Sequence, residues 1–440
     1  MKRMLERLGF DKRTMMCFLL VILNSQLIYA FTAIRSVLYD PFLEALGVTN
    51  TQFGVLMGFI GFITVFGGLA VGWLQDRFSI RKILAVNTFM YGGWALVMSL
   101  WPGCPYALKC LFFISFGFNG DAMYWATVLK SVRTMAGENK QATAFGLMES
   151  LRCGIDVIIG AAAVAVYTFL GSNLFGIRAA MTFNSCLTLL SGVLIWMFIP
   201  EEKPVERETK ETAKTSNKTK KAFEGFLAVL RMPAVWMTGI SAMCVYAIFC
   251  AVYTYFVPYM QNVYLLSAGL VGVFGVANGS GIRVVMGVFS GMISDNKFKS
   301  SAHMMRFAYS VLAVLLTAVL LIPKSSKYVI PVMIILLLIS AFSGMVRSVY
   351  YAPIGELGVS EDISAAAMAV AACIGYSPSF WAYPLYGSMI DKLGSQTAYQ
   401  LIFILLLVMS VAGIVVDTIL GKKIVVHKQK KNHAVAEKIS

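Results

Sequence analysis

Residues 201–221 read EEKPVERETKETAKTSNKTKK. The stretch is polar, rich in Thr and Lys, and has no apolar periodicity, so it reads as a flexible linker. Outward from it on both sides the chain becomes apolar in long runs. Six windows precede it, at about 14–38, 52–74, 83–101, 106–129, 141–170 and 175–199. Six follow, at about 234–260, 266–292, 303–322, 329–354, 364–387 and 398–420. A membrane span needs about 20 apolar residues. In lipid the backbone must satisfy itself, and these runs are far too long for barrel strands, so each predicts a helix. The expected fold is an all-α polytopic membrane protein of twelve transmembrane helices in two pseudo-symmetric six-helix bundles. The bundles would occupy residues 1–200 and 234–420. A cytoplasmic linker with an interfacial helix (AFEGFLAVLRMPAVW) would fill 201–233, and a basic cytoplasmic tail 421–440.

Composition supports this reading. The chain has 440 residues, 58% hydrophobic and 13% charged, with a mean hydropathy of +0.74. Soluble domains are about 45–50% apolar and about 25% charged. A soluble enzyme, a disordered chain and a secreted disulfide scaffold are therefore excluded. The net charge of +15 is explained by Lys and Arg on cytoplasmic loops rather than by nucleic acid. Eight cysteines form no CxxC pair, so neither a zinc site nor a disulfide framework is expected. No metal or cofactor is expected.

The connecting segments alternate in charge. MKRMLERLGFDKR, DRFSIRK, KSVRTMAGENK, the 201–221 stretch, DNKFKSSAHMMR and GKKIVVHKQKK are basic; the intervening segments are short or nearly neutral. The basic set falls on one side, which predicts that both termini are cytoplasmic. MKRMLERLGFDKR lacks a small-residue cleavage site and reads as a retained start. The halves also echo each other. Asp121-Ala122-Met123-Tyr124-Trp125-Ala126 in span four matches Arg347-Ser348-Val349-Tyr350-Tyr351-Ala352 in span ten. Parallel repeats of this kind place a solute site near the midplane, between the halves.

The loop after span two reads Gly72-Trp73-Leu74-Gln75-Asp76-Arg77-Phe78-Ser79-Ile80-Arg81-Lys82. It resembles motif A of the major facilitator superfamily, with Ser79 where the family usually has Gly. Partial copies follow span eight (Gly291, Asp295, Lys297) and span eleven (Gly387, Asp391, Lys392, Gly394). The resemblance implies that Gly72, Asp76, Arg77, Arg81 and Lys82 form a latch, not a solute site. Narrower similarity lies in Tyr39–Gly54, Phe145–Arg152 and Ile374–Pro378, which look like a bacterial branch near the sugar-acid and organophosphate transporters. The Pro-Asp usual in that branch is Pro378-Ser379 here. The Gly-Pro antiporter motif of multidrug exporters is missing from Gly154-Ile155-Asp156-Val157. The resemblance further implies a bacterial inner membrane and a monomer.

Ionisable residues at membrane depth are costly and default to functional candidates. Arg35, Arg283 and Arg347 suit bidentate capture of an anion. In neighbouring organic-anion families a span-one arginine contacts the solute's acidic group, which singles out Arg35. Tyr124, Tyr253 and Tyr350 are candidate cavity aromatics, each offering a flat face and a hydroxyl. Tyr259 fits an interfacial aromatic belt instead. Asp121, Glu149, Arg152 and Asp156 are candidates for proton coupling or gating. Glu149 and Arg152 are three apart on one helical face and can pair. Asp121 could neutralise Arg347 across the halves. Lys109 is expected to snorkel.

These readings predict a secondary transporter of a small polar anionic organic solute, such as a sugar acid, sugar phosphate or carboxylate. It would work by alternating access, as a proton-coupled symporter or antiporter or by anion exchange. A neutral-sugar or drug/proton transporter of the same fold is the alternative. A transport-fold solute sensor is the alternative of another class. A membrane enzyme is disfavoured, because no acidic or His/Asp constellation sits at the membrane surface. Expected partners are the solute, membrane lipids and a proton, and no nucleic acid.

Overall fold

The computed structural model of the chain describes residues 10–71, 78–136, 141–201, 227–266, 268–282, 286, 298, 300–359 and 361–439; among them helices dominate and no strand occurs. The N-terminal half contains α1 (Lys12–Leu27), α2 (Ala30–Ala33), α3 (Tyr39–Leu46), α4 (Asn50–Val71) and α5 (Ile80–Leu100). It continues with α6 (Tyr106–Phe116), α7 (Tyr124–Ala136), α8 (Gln141–Phe169) and α9 (Leu174–Phe198). The C-terminal half contains α10 (Pro233–Asn262), α11 (Ala268–Val276), α12 (Ser301–Leu321) and α13 (Val329–Arg347). It ends with α14 (Ala352–Glu356), α15 (Glu361–Gly375) and α16 (Pro378–Ile439).

Among the described residues eight helices are long and apolar enough to cross a membrane, or nine when one bent pair is joined. Part of the expected span eight lies outside the described residues; the other expected spans escape that count for physical reasons. Between α6 and α7 the chain forms a π-helical segment, Gly117–Ala122, so span four is split into two short helices. α16 runs for 62 residues, too long for one crossing, and Gly394 (φ 73, ψ 158) breaks it. That backbone conformation is nearly closed to residues with a Cβ. In the expected tail at 421–440 the helix continues to Ile439. Most of the linker and the first part of the expected interfacial helix lie outside the described residues. Residues 227–230 are helical, and Val229 packs with Ile354, Val370 and Ala371.

Two features position the site. The first is the bend of 50° between Lys12–Leu27 and Ala30–Ser36. Ser25 lies just before it and donates its hydroxyl to the Ile22 carbonyl at 2.7 Å, a back-bond of the kind that bends helices. The second is the seam between α4 and α16. A Cβ on Gly61 would lie 2.2 Å from the carbonyl carbon of Ser379, and one on Gly54 2.4 Å from the Tyr383 oxygen. Only glycine lets the two backbones approach so closely.

At one end this seam is closed by side chains. Thr49 and Gln52 form a capping box at the start of α4: the Gln52 amide donates to Thr49 Oγ1 at 3.2 Å, and the Thr49 amide to Gln52 Oε1 at 3.1 Å. The two amides between them turn to the other half. Asn50 N donates to Asp391 at 3.3 Å and Thr51 N at 2.7 Å. Asn50 Nδ2 (2.8 Å) and Thr51 Oγ1 (2.6 Å) donate to the same carboxylate. Nearby, Asn262 on α10 donates to Asp40 on α3 at 3.0 Å. The helix N-terminus favours a negative charge, and Asp391 supplies it from across the molecule.

Candidate functional site

A cavity of about 270 Å³ lies where the halves meet. On its N-terminal wall the bent α1–α2 region presents Gln26, Tyr29, Thr32 and Arg35. Their three-residue spacing keeps them along one face. α8 contributes Glu149, Arg152, Cys153 and Asp156 at the same periodicity, and the π turn contributes Asp121. The C-terminal wall is mainly aromatic: Tyr246, Phe249 and Tyr253 from α10, with Tyr383 from α16.

Arg35 sits in a 3-10 turn, Ile34–Ser36, and joins the two walls. Its Nη1 donates to the Thr32 carbonyl at 2.5 Å and its Nε to Thr254 Oγ1 at 3.3 Å. Its guanidinium lies 5.0 Å from the centre of the Tyr253 ring. Among the described residues no carboxylate pairs with it. Arg347 makes an aromatic bed of its own. Its guanidinium carbon lies 3.7 Å from the centre of the Phe249 ring and 5.4 Å from that of Tyr246. Its Nε is buried and has no hydrogen-bond partner. Cation–π contact of this kind holds the guanidinium without neutralising it.

The acidic groups are placed differently. Asp121 accepts from Tyr29 at 3.2 Å and from Thr64 at 3.0 Å. Asp156 accepts from Gln26 Nε2 at 2.7 Å. Glu149 pairs with Arg152 at 3.2 Å, and the Arg152 guanidinium covers the Trp125 ring at 4.4 Å. The π turn explains how Asp121 reaches the cavity. The extra residue in such a turn redirects the side chain and frees backbone groups. One of these, the Gly120 carbonyl, accepts from Tyr29 at 2.7 Å.

Several expectations need correction. Tyr124 is fully buried in the N-terminal half, hydrogen-bonded to Asn24, and does not line the cavity. Tyr350 does not line it either: its hydroxyl meets that of Tyr376 at 3.0 Å, beside the Arg347 bed. The Asp121–Arg347 contact is not formed in this conformation, because Asp121 turns to Tyr29 and Thr64. Tyr259 is buried against Tyr399 and Phe403 rather than facing lipid. Lys109 does not snorkel. It is 5% exposed, and its Nζ donates to the Leu46 carbonyl at 2.5 Å, capping the C-terminus of α3. Arg283 lies outside the described residues, as do Gly72, Asp76 and Arg77 of the latch motif. Arg81 and Lys82 reach Glu201, beyond the end of α9, at 2.5 and 2.7 Å. Gln26, Tyr29, Thr64, Phe249 and Tyr383 complete the site; being uncharged, they carry no sequence signal beyond their place on the helical faces.

An all-α polytopic bundle with a cavity between its two halves has the architecture of a membrane solute transporter. The profile of the Major Facilitator Superfamily matches residues 4–161 and 154–382, and the chain belongs to that family. It is 29% identical to the inner membrane protein YihN of Escherichia coli K12, over 97% of this chain and 99% of that one. It is 24% identical to the inner membrane protein YqcE of the same organism, over 83% and 85%. In fold it resembles a bacterial homologue of the human lysosomal transporter Spinster, solved in an inward-facing, unoccupied conformation. The TM-score is 0.72 at 12% identity, covering 95% of this chain and 99% of that one. It also resembles a D-xylose–proton symporter, with TM-score 0.69 at 13% identity, covering 93% and 97%. The protein is thus a multi-pass inner membrane transporter.

Proposed function

We propose that the protein moves a small polar organic anion, of the sugar-acid, sugar-phosphate or carboxylate type, by alternating access through this cavity. The observation that carries the reading is Arg35. Its guanidinium faces the cavity at the joint of the two walls, yet has only neutral partners. A carboxylate or phosphate completes it with charge-assisted hydrogen bonds. Arg347 offers a second guanidinium close to the aromatic wall, and Tyr253 and Tyr383 supply rings and hydroxyls for a polyhydroxylated body.

Asp121 and Asp156 are the carboxyl groups placed to exchange a proton as the solute binds: both line the cavity, and each accepts hydrogen bonds from neutral side chains. Arg81 and Lys82 serve the latch at the opposite end, and Gly72, Asp76 and Arg77 belong to it by the motif-A resemblance. In this reading both termini are cytoplasmic and the Asn50–Asp391 seam closes the outer side. The structure then corresponds to a state shut to the outside, in keeping with its likeness to an inward-facing structure. The working unit is a monomer in lipid.

Thermal melting of the purified protein in detergent tests the solute class. Sugar acids, sugar phosphates, sulfonates and dicarboxylates would be paired with matched neutral sugars and cationic drugs. A ligand at a hundred times its Kd stabilises by about 2.7 kcal/mol. Stabilisation by one anionic class is expected. Stabilisation by the neutral sugars or the drugs alone rejects the anion reading and leaves the family assignment intact.

A further inference from the structure

One buried carboxyl stands apart from the cavity. Asp417 lies on α16 within the apolar run Val415-Val416-Asp417-Thr418, and is 0% exposed. Neither of its carboxyl oxygens has a hydrogen-bond partner. Ser241 on α10 lies against it, is equally buried, and its hydroxyl is also unpaired. Cys244 on α10 and Tyr309 on α12 are its other titratable neighbours. The Tyr309 hydroxyl is already committed to the Ser241 carbonyl at 2.6 Å. His303 sits one turn away, against Gly421. Among the described residues no Lys, Arg or His pairs with Asp417.

A bare carboxylate in such a place is among the costliest arrangements a protein can hold. A metal ion does not resolve it. Hard cations want six or more oxygens, and only two carboxyl oxygens and one hydroxyl are free here. A proton does resolve it. We propose that Asp417 is a proton-binding site of the C-terminal half: its carboxyl is held as the neutral acid, hydrogen-bonded to Ser241. The unpaired hydroxyl and the unpaired acid then satisfy each other.

The site is remote from the cavity but shares a helix with it. Ser241 lies on α10, the same helix that carries Tyr246, Phe249 and Tyr253 into the cavity. Loss of the proton places an unpaired charge against α10, and either the helix must shift or water must enter. A proton here therefore biases the helix that forms the aromatic wall. This holds whichever solute the cavity takes.

Infrared spectra of the full chain in lipid at neutral pH, compared with Asp417→Asn, test the proposal. The expected result is loss of one carboxylic-acid C=O band, with the variant melting together with the parent. Loss of carboxylate bands instead overturns it, as does an acid band that appears only when sodium is replaced by choline. Should Asp417→Asn not fold, Ser241→Ala decides. A shift of the acid band to higher frequency, as its hydrogen bond is lost, supports the site; an unmoved band rejects it.

Discussion

The cavity wall of the N-terminal half and the core of the C-terminal half treat their carboxyl groups in opposite ways. In the N-terminal half every acidic group on the cavity wall is answered. Asp121 has Tyr29 and Thr64, Asp156 has Gln26, and Glu149 has Arg152. Among the described residues of the C-terminal half, Arg347 rests on rings with its Nε unpaired, and Asp417 has only the equally buried Ser241 hydroxyl beside it and no cation. Unpaired buried groups cost free energy, so they persist where a ligand, a proton or another conformation completes them. The carboxylates of the N-terminal wall are thus paired, while Arg35 on the same wall keeps neutral partners only. The C-terminal half holds the one described carboxyl, Asp417, with both oxygens buried and unsatisfied.

The seam between the halves gives the largest way to break this picture. Gly61→Leu drives a side chain into the Ser379 backbone, and a loss of about 3 kcal/mol is expected. Gly146→Ala on α8, where an added Cβ meets nothing within 4 Å, serves as the control. Melting curves of the two variants should separate widely. Equal curves would mean that the halves do not touch along α4 and α16.

Next in size is the N-terminal wall itself. Asp121→Ala leaves the Tyr29 and Thr64 hydroxyls with fewer partners, at a cost of about 1–3 kcal/mol. Asp121→Asn, which can still accept, should cost less. If both variants melt with the parent, the N-terminal wall is not the rigid element of the pair.

A smaller effect is expected at the closed end, and it depends on pH. Partial burial pushes the Asp391 carboxyl up, but the hydrogen bonds from Thr51, and then from Asn50 and Thr49, outweigh it and hold the group below the usual carboxylate range. A carboxyl whose folded value is lowered contributes stability above its unfolded value and loses it as pH falls through the folded one. The contribution is therefore complete above about pH 4 and disappears in stronger acid. Asp391→Asn should cost about 1 kcal/mol at neutral pH, comparable to a lost helix cap. It should also show a shallower decline of melting temperature on acidification. A decline as steep as the parent's would remove Asp391 from the seam.

The smallest effect belongs to Glu149→Gln. Its pair with Arg152 spans three residues on one helix and the Glu149 side chain is 57% exposed, so a loss of about 0.5 kcal/mol or less is expected. A loss several times larger would show that the pair is a buried gate and not a surface contact.

The membrane fold is legible in the sequence because lipid demands apolar runs of fixed length, and the chain supplies them. The π turn at Gly117–Ala122 is not legible. A single added residue in a helix leaves no mark on hydropathy, yet it turns Asp121 toward the cavity. Arg35 is legible because a charge in span one is conspicuous; Gln26 and Tyr29, on the same face, are ordinary in composition. Asp391 stands out as part of a motif-like run, but its partner lies 341 positions away, beyond the reach of local pattern. Asp417 lies three residues from the expected end of its window at 420. A carboxylate there ordinarily reaches the interface, and only the packing of α10 and α12 shows that it does not. Tyr124 and Tyr350 mislead for the converse reason: a deep tyrosine can serve the core as well as a cavity, and spacing does not separate the two.

Arg35 is the residue on which anion transport depends most directly. Uptake of the stabilising anion into vesicles should be measured for the parent, Arg35→Lys and Arg35→Ala, with melting temperature recorded for each. Arg35→Ala is expected to fold, to lose the ligand-induced stabilisation and to abolish uptake. Arg35→Lys, a point charge without the bidentate fork, should retain a fraction of both. Uptake and stabilisation undiminished in Arg35→Ala would make Arg35 a structural tie between the two walls and not an anion ligand.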